Sequence, residues 1–478
     1  MKNLNLTDLQ KLMPEDLIHL ILKQNEVIRG LEERIKQLEE QVAKNSRNSG
    51  KPPSSDGLQK PKSLRAKGQR PSGGQKGHVG HRLEPVAAPD EIVHYELVSC
   101  PKCQGDLQGV EVETTVKRQV FDLPPVRLQV TEHQAEVKYC AACRTHVMAT
   151  LPEKVSAATQ YGTRFKAQLA YLNGYQFIPT ARLAELCADF YGQPISEGLV
   201  TTLLAELSAA VEPSLAVVRD QVVQAAVAHS DETGVRVAGT TQWWHVFATP
   251  YLTYYCVHAK RGQVALHAGG LLDQFQGCLV HDAFVSYFVF DQCQHALCNA
   301  HLLRELTFVF EELQQDWAGT LKNLLLEIKA TVSHAQSWGH AHLTALQMAQ
   351  FTQAYTDLIY NGWQVNPLPD PPAAKKRGRI KHSTPQNLLR RLEKYPDLIL
   401  AFMHDFRVPF DNNLAERDLR MVKVKQKISG CFRTQAGAEM FARIRSYIST
   451  ARKQGINVLL AITDALTGQP FIPTSPPV

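Results

Sequence analysis

Residues 411–455 read DNNLAERDLRMVKVKQKISGCFRTQAGAEMFARIRSYISTARKQG. Glu416 stands at the start of a helix-like run, with Lys and Arg dense behind it. Two acidic positions lie far upstream, Asp231 in HSDET and Asp282 in VHDAF. Neither makes a metal site alone, because a hard divalent cation such as Mg²⁺ or Mn²⁺ wants several carboxylate oxygens. Glu416 is the third carboxylate. Two cations about 3.5–4 Å apart among such groups suit in-line displacement at a phosphodiester. A blander reading stands beside this one: Asn413 followed three residues later by Glu416 also fits a helix capping box. If Glu416 is only a cap, Glu439 is the next candidate.

Around Asp231 the hydrophobic period is that of strands. AVAHSDETGVRVAG alternates, Gly239 marks a turn, and TQWWHVFATP and LTYYCVHAKRG follow as a meander. QVALHAGGLLDQF then reads as a helix and GCLVHDAF as a short buried strand. A β-β-β-α-β order sets the fourth strand parallel to the first, which puts Asp231 and Asp282 side by side. Side chains alternate along a strand, so only one of Asp231 and Glu232 faces the site. A phosphohydrolase built on His281-Asp282 is disfavoured, since that signature belongs on a helix with further histidines.

The chain has 478 residues, 44% hydrophobic and 21% charged, an ordinary globular composition for about two to four domains. No apolar run reaches the roughly 18 residues of a membrane span. The opening MKNLNLTDLQKLMPEDL lacks the apolar core of a signal peptide. The expected location is the cytoplasm, with no membrane partner. The net charge is +6, yet residues 44–82 hold ten Lys or Arg against one acid, Asp56. Concentrated basicity of this kind is the footprint of a nucleic-acid partner, here double-stranded DNA.

Residues 14–43 carry a heptad: Ile21, Ile28, Ile35 and Val42 at one position, and Leu17, Gln24, Leu31 and Leu38 at the other. β-branched residues at the first and leucine at the second favour a two-stranded coil, so a homodimer or higher oligomer is expected. The Gly-, Pro-, Ser- and Lys-rich stretch that follows cannot bury enough apolar surface to order itself. Next, Cys100 and Cys103 in CPKC are separated by 36 residues from Cys140 and Cys143 in CAAC. Two such knuckles suit a tetrahedral four-thiolate structural Zn²⁺. The strand-like stretches TTVKRQVFDL and VRLQVTEHQAEVKYC are expected to form a ribbon between them. Farther on, two helices joined by GQPIS fit a helix-turn-helix and equally any small helical bundle. Lys375, Lys376, Arg377, Arg379 and Lys381 make a second basic cluster in an exposed loop.

Several long stretches, in this order, resemble the insertion-sequence 66 family of bacterial transposases. They are NSRNSGKPPSSDG, RQVFDLPPVRLQVTEH, HSDET, CNAHLLREL, DNNLAERDLR and GCFRTQAGAEMFARIRSYISTARKQG. The resemblance runs from the coiled coil to about residue 460. It implies a retroviral-integrase-like (RNase H-like) core in which Asp231, Asp282 and Glu416 are catalytic and hold Mg²⁺ or Mn²⁺. It also implies a zinc site at Cys100, Cys103, Cys140 and Cys143, and a helical insertion before Glu416. His301 and Arg304 in CNAHLLREL belong to a family motif near the site, without a catalytic role assigned. Small accessory proteins encoded by the same element, and association with the bacterial nucleoid, are further implications.

The expected fold is therefore multidomain α+β. A coiled-coil oligomerisation helix spans 1–45, a basic disordered linker 46–95, a zinc-binding domain 96–150 and a helical, helix-turn-helix-compatible region 151–220. An RNase H-like catalytic domain spans 221–455, with a helical insertion at about 305–405, and a C-terminal tail covers 456–478. The expected activity is binding of terminal inverted repeats followed by strand cleavage and transfer. The alternative is a catalytically silent, transposase-derived DNA-binding regulator.

Overall fold

The computed structural model describes residues 13–49, 82–124, 126–368 and 382–474. Most of the basic linker and the second basic cluster, Lys375 to Lys381, lie outside the described residues. The chain divides into two compact units, residues 1–63, 153–185 and 195–478 in one, and 64–152 with 186–194 in the other. No single helix among the described residues is long and apolar enough to cross a membrane.

In the larger unit, helix α1 (Pro14–Ala43) begins with proline in its first turn beside Glu15 and Asp16, which suit the helix N-terminus. Its heptad residues stay in solvent: Ile21, Ile28, Leu31, Ile35 and Leu38 are all exposed. The end of α1 does find a partner in its own chain, contrary to the expectation that a linker begins there. Ala43 packs against the core of the helical insertion, Thr384 donates to Glu40 at 2.8 Å, and Asn48 and Ser49 are buried. The reason is local: Asn45 and Asn48 fold the chain into a turn, with Asn45 N–H donating to Asn48 Oδ1 at 2.7 Å.

The smaller unit holds strands β1 (Val137–Cys140) and β2 (Thr145–Met148), paired antiparallel. The ribbon expected between the two cysteine pairs is absent among the described residues; β1 and β2 instead flank the second pair. Alternation specifies a strand only where a partner edge and a core receive it. Here Val116, Val120, Leu123 and Val130 remain exposed.

The larger unit resumes with α2 (Thr163–Ala170), the part of α3 (Thr180–Tyr191) up to residue 185, α4 (Glu197–Ala210) and α5 (Glu212–Val223). The sheet follows: β3 (Val227–Val237), β4 (Thr240–Ala248), β5 (Thr253–His258), helix α6 (Gln263–Gly269), β6 (Cys278–His281) and β7 (Gln294–Leu297). Strand order is β5-β4-β3-β6-β7, with β3, β4 and β5 antiparallel and β6 and β7 parallel to β3. Gly277 permits the close entry of β6. A Cβ there would strike the carbonyls of Ala225 and Ala226, and Cys278 N–H bonds Ala226 O at 2.8 Å.

Helices α7 (Asn299–Glu311), α8 (Asp316–Ser337), α9 (Ala345–Val365) and α10 (Thr384–Lys394) surround their own core, which includes Leu306, Trp317, Leu325, Tyr355 and Leu389. The chain then returns to the sheet through α11 (Asn413–Ser429) and α12 (Gln435–Lys453). Ala415, Leu419 and Val422 of α11 pack with Val235, Val237, Trp244 and Val246 on one sheet face. Phe432 locks the return: it stacks on Trp244 at 5.4 Å, and its backbone bonds Arg236 and Ala238.

The expected C-terminal tail carries a helix, α13 (Val458–Leu466), capped by Asn457, whose Oδ1 accepts from Leu459 and Leu460 N–H. Val458, Ala461, Ile462 and Ala465 recur at helical spacing and are buried, so this stretch is core. Two of the C-terminal basic residues are also internal. Arg445 is 2% exposed under Tyr175 and Phe177, and Lys453 donates to Asp418 at 2.9 Å. Arg417, Arg420, Lys427, Arg433 and Arg443 stay exposed.

Candidate active site and thiol knuckles

Asp231 lies on the central strand, opposite Val246 of β4. Parallel pairing of β3 with β6 runs Val227↔Cys278, Ala228↔Leu279 and His229↔Val280. Continued two residues, that register sets Asp231 beside Asp282, just past the end of β6. Burial holds the Asp231 carboxyl well above the usual carboxylate range, reinforced by the charges of Glu232, Asp282 and Glu416. The three acids thus lie within electrostatic reach of one another, but among the described residues their oxygens do not all stand within 4.8 Å. Glu232 N–H donates to Asp231 Oδ1 at 2.8 Å and Phe284 N–H to Asp282 Oδ1 at 3.0 Å.

Glu232 takes the opposite sheet face, as alternation along β3 requires. Its side chain, 1% exposed, accepts from Tyr287 Oη at 2.6 Å and pairs with Arg261 at 2.8 Å. The same Tyr287 oxygen accepts from Ser230 Oγ at 3.1 Å. The residues on both sides of Asp231 are thus fixed by one hydroxyl, carried on the turn just after Asp282. Burial raises the Glu232 carboxyl, while Tyr287 and Arg261 pull it back.

Glu416 sits in the first turn of α11. The capping-box reading fails here. Asn413 is already helical, the N-cap is Asn412, whose side chain caps no amide, and the Asn413 N–H is taken by Asp411 Oδ1 at 3.2 Å. Asn412 spends its amide across the fold instead: Nδ2 donates to Ser230 O at 2.8 Å, and Oδ1 accepts from His229 Nδ1 at 2.8 Å. Its backbone N–H donates to Cys298 Sγ at 3.1 Å. Asn412 therefore ties the start of α11 to the strand that bears Asp231. Glu439, the fallback candidate, accepts from Gln435 at 3.0 Å and is not among the carboxylates acting on Asp231.

The carboxylate of Glu416 meets two residues of α7. Its Oε1 stands 3.8 Å from His301 Nδ1, and its Oε2 stands 3.9 Å from Arg304 Nη2. Both Oε1 and Nδ1 are buried without a hydrogen-bond partner. Buried polar atoms are rarely left so, and a cation held beside Asp231, Asp282 and Glu416 would satisfy Oε1. The donor set and this orphaned atom fit a divalent metal. His281, by contrast, is fully buried against Tyr287, Phe288 and His295, and burial pushes its imidazole down to about 3. It is a core residue, not a ligand.

In the smaller unit, the residue after each cysteine pair adopts a left-handed backbone, Gln104 at φ 60° and Arg144 at φ 54°. The two knuckles therefore share one local conformation. Backbone N–H groups of Cys103 and Lys102 and the Cys103 thiol lower the Cys100 thiol pKa. The Thr145 hydroxyl and the Cys140 thiol lower that of Cys143. Both shifts favour the thiolate, the form that binds metal. The thiols meet in these two pairs; among the described residues, all four are not gathered around one point. The donor chemistry fits zinc.

The model of the Transposase IS66 family matches residues 158–440, a span that contains Asp231, Asp282, His301 and Glu416. The chain belongs to the IS66 transposase family. The zinc-finger binding domain of transposase IS66 matches residues 99–144, which cover both knuckles, and a family of unknown function matches residues 7–84. No curated protein matches the chain. For this IS66 transposase, sequence reasoning assigned no part to Asn412, Tyr287 or Arg261. Asn412 was visible only as one letter of DNNLAERDLR, and nothing in VSYFV distinguishes Tyr287 from a core aromatic.

Proposed function

We propose that this IS66 transposase binds the terminal inverted repeats of its element and cuts and joins DNA strands at an RNase H-like site. Asp231, Asp282 and Glu416 are its catalytic carboxylates. The observation that supports the reading is the strand register that sets Asp231 beside Asp282, with Glu416 near enough for its charge to raise the Asp231 carboxyl. The strand order β5-β4-β3-β6-β7, with three antiparallel strands followed by two parallel ones, supports the RNase H-like assignment.

Asp231, Asp282 and Glu416 would hold Mg²⁺ or Mn²⁺, which when bound activates an attacking hydroxyl and steadies the leaving oxygen. The chain's own residues prepare that site. Tyr287, Glu232 and Arg261 fix the strand ends from behind, and Asn412 sets Glu416 against β3. Arg304 and the exposed Arg417 and Arg420 lie where a phosphate backbone can be held. In the first step water attacks the phosphodiester at the element end, the P–O3′ bond breaks and a 3′-hydroxyl leaves. In the second, that 3′-hydroxyl attacks a target phosphodiester, forming one P–O bond as another breaks. A structural zinc at Cys100, Cys103, Cys140 and Cys143 shapes the smaller unit, and α1 pairs two chains.

The test uses purified protein, Mg²⁺ and a plasmid carrying the DNA that flanks the gene. Nicks with free 3′-hydroxyls at inverted repeats are expected. Tight binding to those repeats without any cleavage would instead favour a silent regulator.

A further inference from the structure

We propose that His301 is a metal ligand of the catalytic site, sharing with Glu416 a cation that its imidazole Nδ1 binds directly. The inference rests on the reading of Glu416 as a metal-binding carboxylate and assigns the donor opposite it. The supporting geometry is a pair of orphaned atoms. His301 Nδ1 and Glu416 Oε1 face one another at 3.8 Å, both buried and both without a hydrogen-bond partner. That separation is too long for a hydrogen bond. Two donors each about 2.1 Å from a common cation stand roughly 3–4.2 Å apart, depending on the angle between them.

The third candidate donor nearby is Cys298, whose Sγ lies within 4.8 Å of a ring nitrogen of His301 and a carboxylate oxygen of Glu416. It is already engaged, because Asn412 N–H donates to that sulfur at 3.1 Å, so it is not assigned as a ligand. Arg304 approaches the other carboxylate oxygen, Oε2, and leaves Oε1 to the cation. His301 and Arg304 fall on one face of α7, three residues apart, so a single helix positions both. His301 N–H bonds Cys298 O at 3.3 Å, which fixes the first turn of that helix.

A nitrogen donor has a chemical consequence. Imidazole suits Zn²⁺, Fe²⁺ and Ni²⁺; Mn²⁺ favours oxygen as Mg²⁺ does, but as a transition metal at the foot of the affinity order it accepts a nitrogen donor more readily than Mg²⁺. The half of the site at Glu416 and His301 should therefore discriminate among cations, and the half at Asp231 and Asp282 should not. Loss of His301 would weaken Mn²⁺ binding more than Mg²⁺ binding.

The test is electron spin echo spectroscopy of Mn²⁺ bound to the untagged, full-length protein without DNA. Wild type should show ¹⁴N modulation from a directly bound imidazole, replaced by a ¹⁵N pattern when only histidine is ¹⁵N-labelled. The signal should vanish in His301→Ala, and Mn²⁺ affinity should fall roughly tenfold. Labelling needs no variant, so it decides the matter even if His301→Ala does not fold. Bound Mn²⁺ with no nitrogen modulation, or with modulation unchanged in His301→Ala, overturns the proposal. If Mn²⁺ binding still depends on Asp231 and Glu416 in that case, only the His301 assignment falls. If Asp231→Asn and Glu416→Gln both bind Mn²⁺ as wild type does, the carboxylate site itself is wrong.

Discussion

The hydroxyl of Tyr287 donates to Glu232 at 2.6 Å while accepting from Ser230 at 3.1 Å, so one oxygen grips both neighbours of Asp231. Tyr287 is fully buried and follows Asp282 by five residues. This contact couples the two aspartate-bearing segments through the residues that flank Asp231. Tyr287→Phe removes that oxygen and little volume. It should lower stability by about 1–3 kcal/mol, the usual cost of unpairing buried polar groups. Strand cleavage should drop with DNA-end affinity unchanged. Denaturant unfolding together with a cleavage assay checks this; a variant equal to wild type in both would show the contact to be incidental.

Asp231 is held in a protonated-favouring site, because burial and the charges of Glu232, Asp282 and Glu416 raise its folded pKa above the unfolded value. The folded state then binds the proton more tightly. The stability this contributes is complete below the ordinary carboxylate pKa and is lost as pH rises through the raised folded value. In chelator, Asp231→Asn should melt above wild type, by a margin that widens between about pH 5 and about pH 8. The same variant should be inactive, a direct trade of stability for function. Equal melting at both pH values would mean the charge is relieved by other means.

The two cysteine knuckles predict one zinc per chain, structural because four thiolates leave no open position. Cys103→Ser should lose the metal and weaken DNA binding while the larger unit keeps its melting transition. Elemental analysis of freshly purified, reduced protein decides this, and absence of zinc from the wild type would contradict it.

Ile28 and Leu31 of α1 are 51% and 57% exposed, so the heptad stripe is left uncovered by the described residues of its own chain. Ile28→Asp with Leu31→Asp should leave the fold of each chain intact and halve the mass seen by light scattering, because unpaired charges in a seam are costly. An unchanged mass would place the oligomer interface elsewhere.

The meander around Asp231 and the helix at Glu416 were legible in the sequence because each follows a clear hydrophobic period. VRVAGTTQWWHVF alternates around a glycine turn, and Ala415, Leu419 and Val422 recur on one helical face. The C-terminal helix was legible too, through Asn457 and the spacing of Val458, Ala461, Ile462 and Ala465, yet a tail was expected there. The stretches between the cysteine pairs misled for a physical reason: Val116 and Val120 alternate like a strand but have neither partner nor core. Asn412 and Tyr287 act through contacts to residues 182 and 57 positions away. No local pattern encodes such partners. The capping-box reading of Glu416 could be discarded only once Asn412 was found bonded to β3.

The central claim is that Glu416 is a metal-holding catalytic carboxylate rather than a structural one. Its most direct test is single-turnover cleavage of an element-end substrate by Glu416→Gln in Mg²⁺, beside DNA-end binding by the same preparation. The substitution keeps the shape of the side chain and removes the anionic ligand. Cleavage should fall by on the order of 10³-fold or more, as when one member of a cooperating catalytic set is lost, with binding unchanged. Cleavage near the wild-type rate would contradict the account and send the search for a third carboxylate elsewhere.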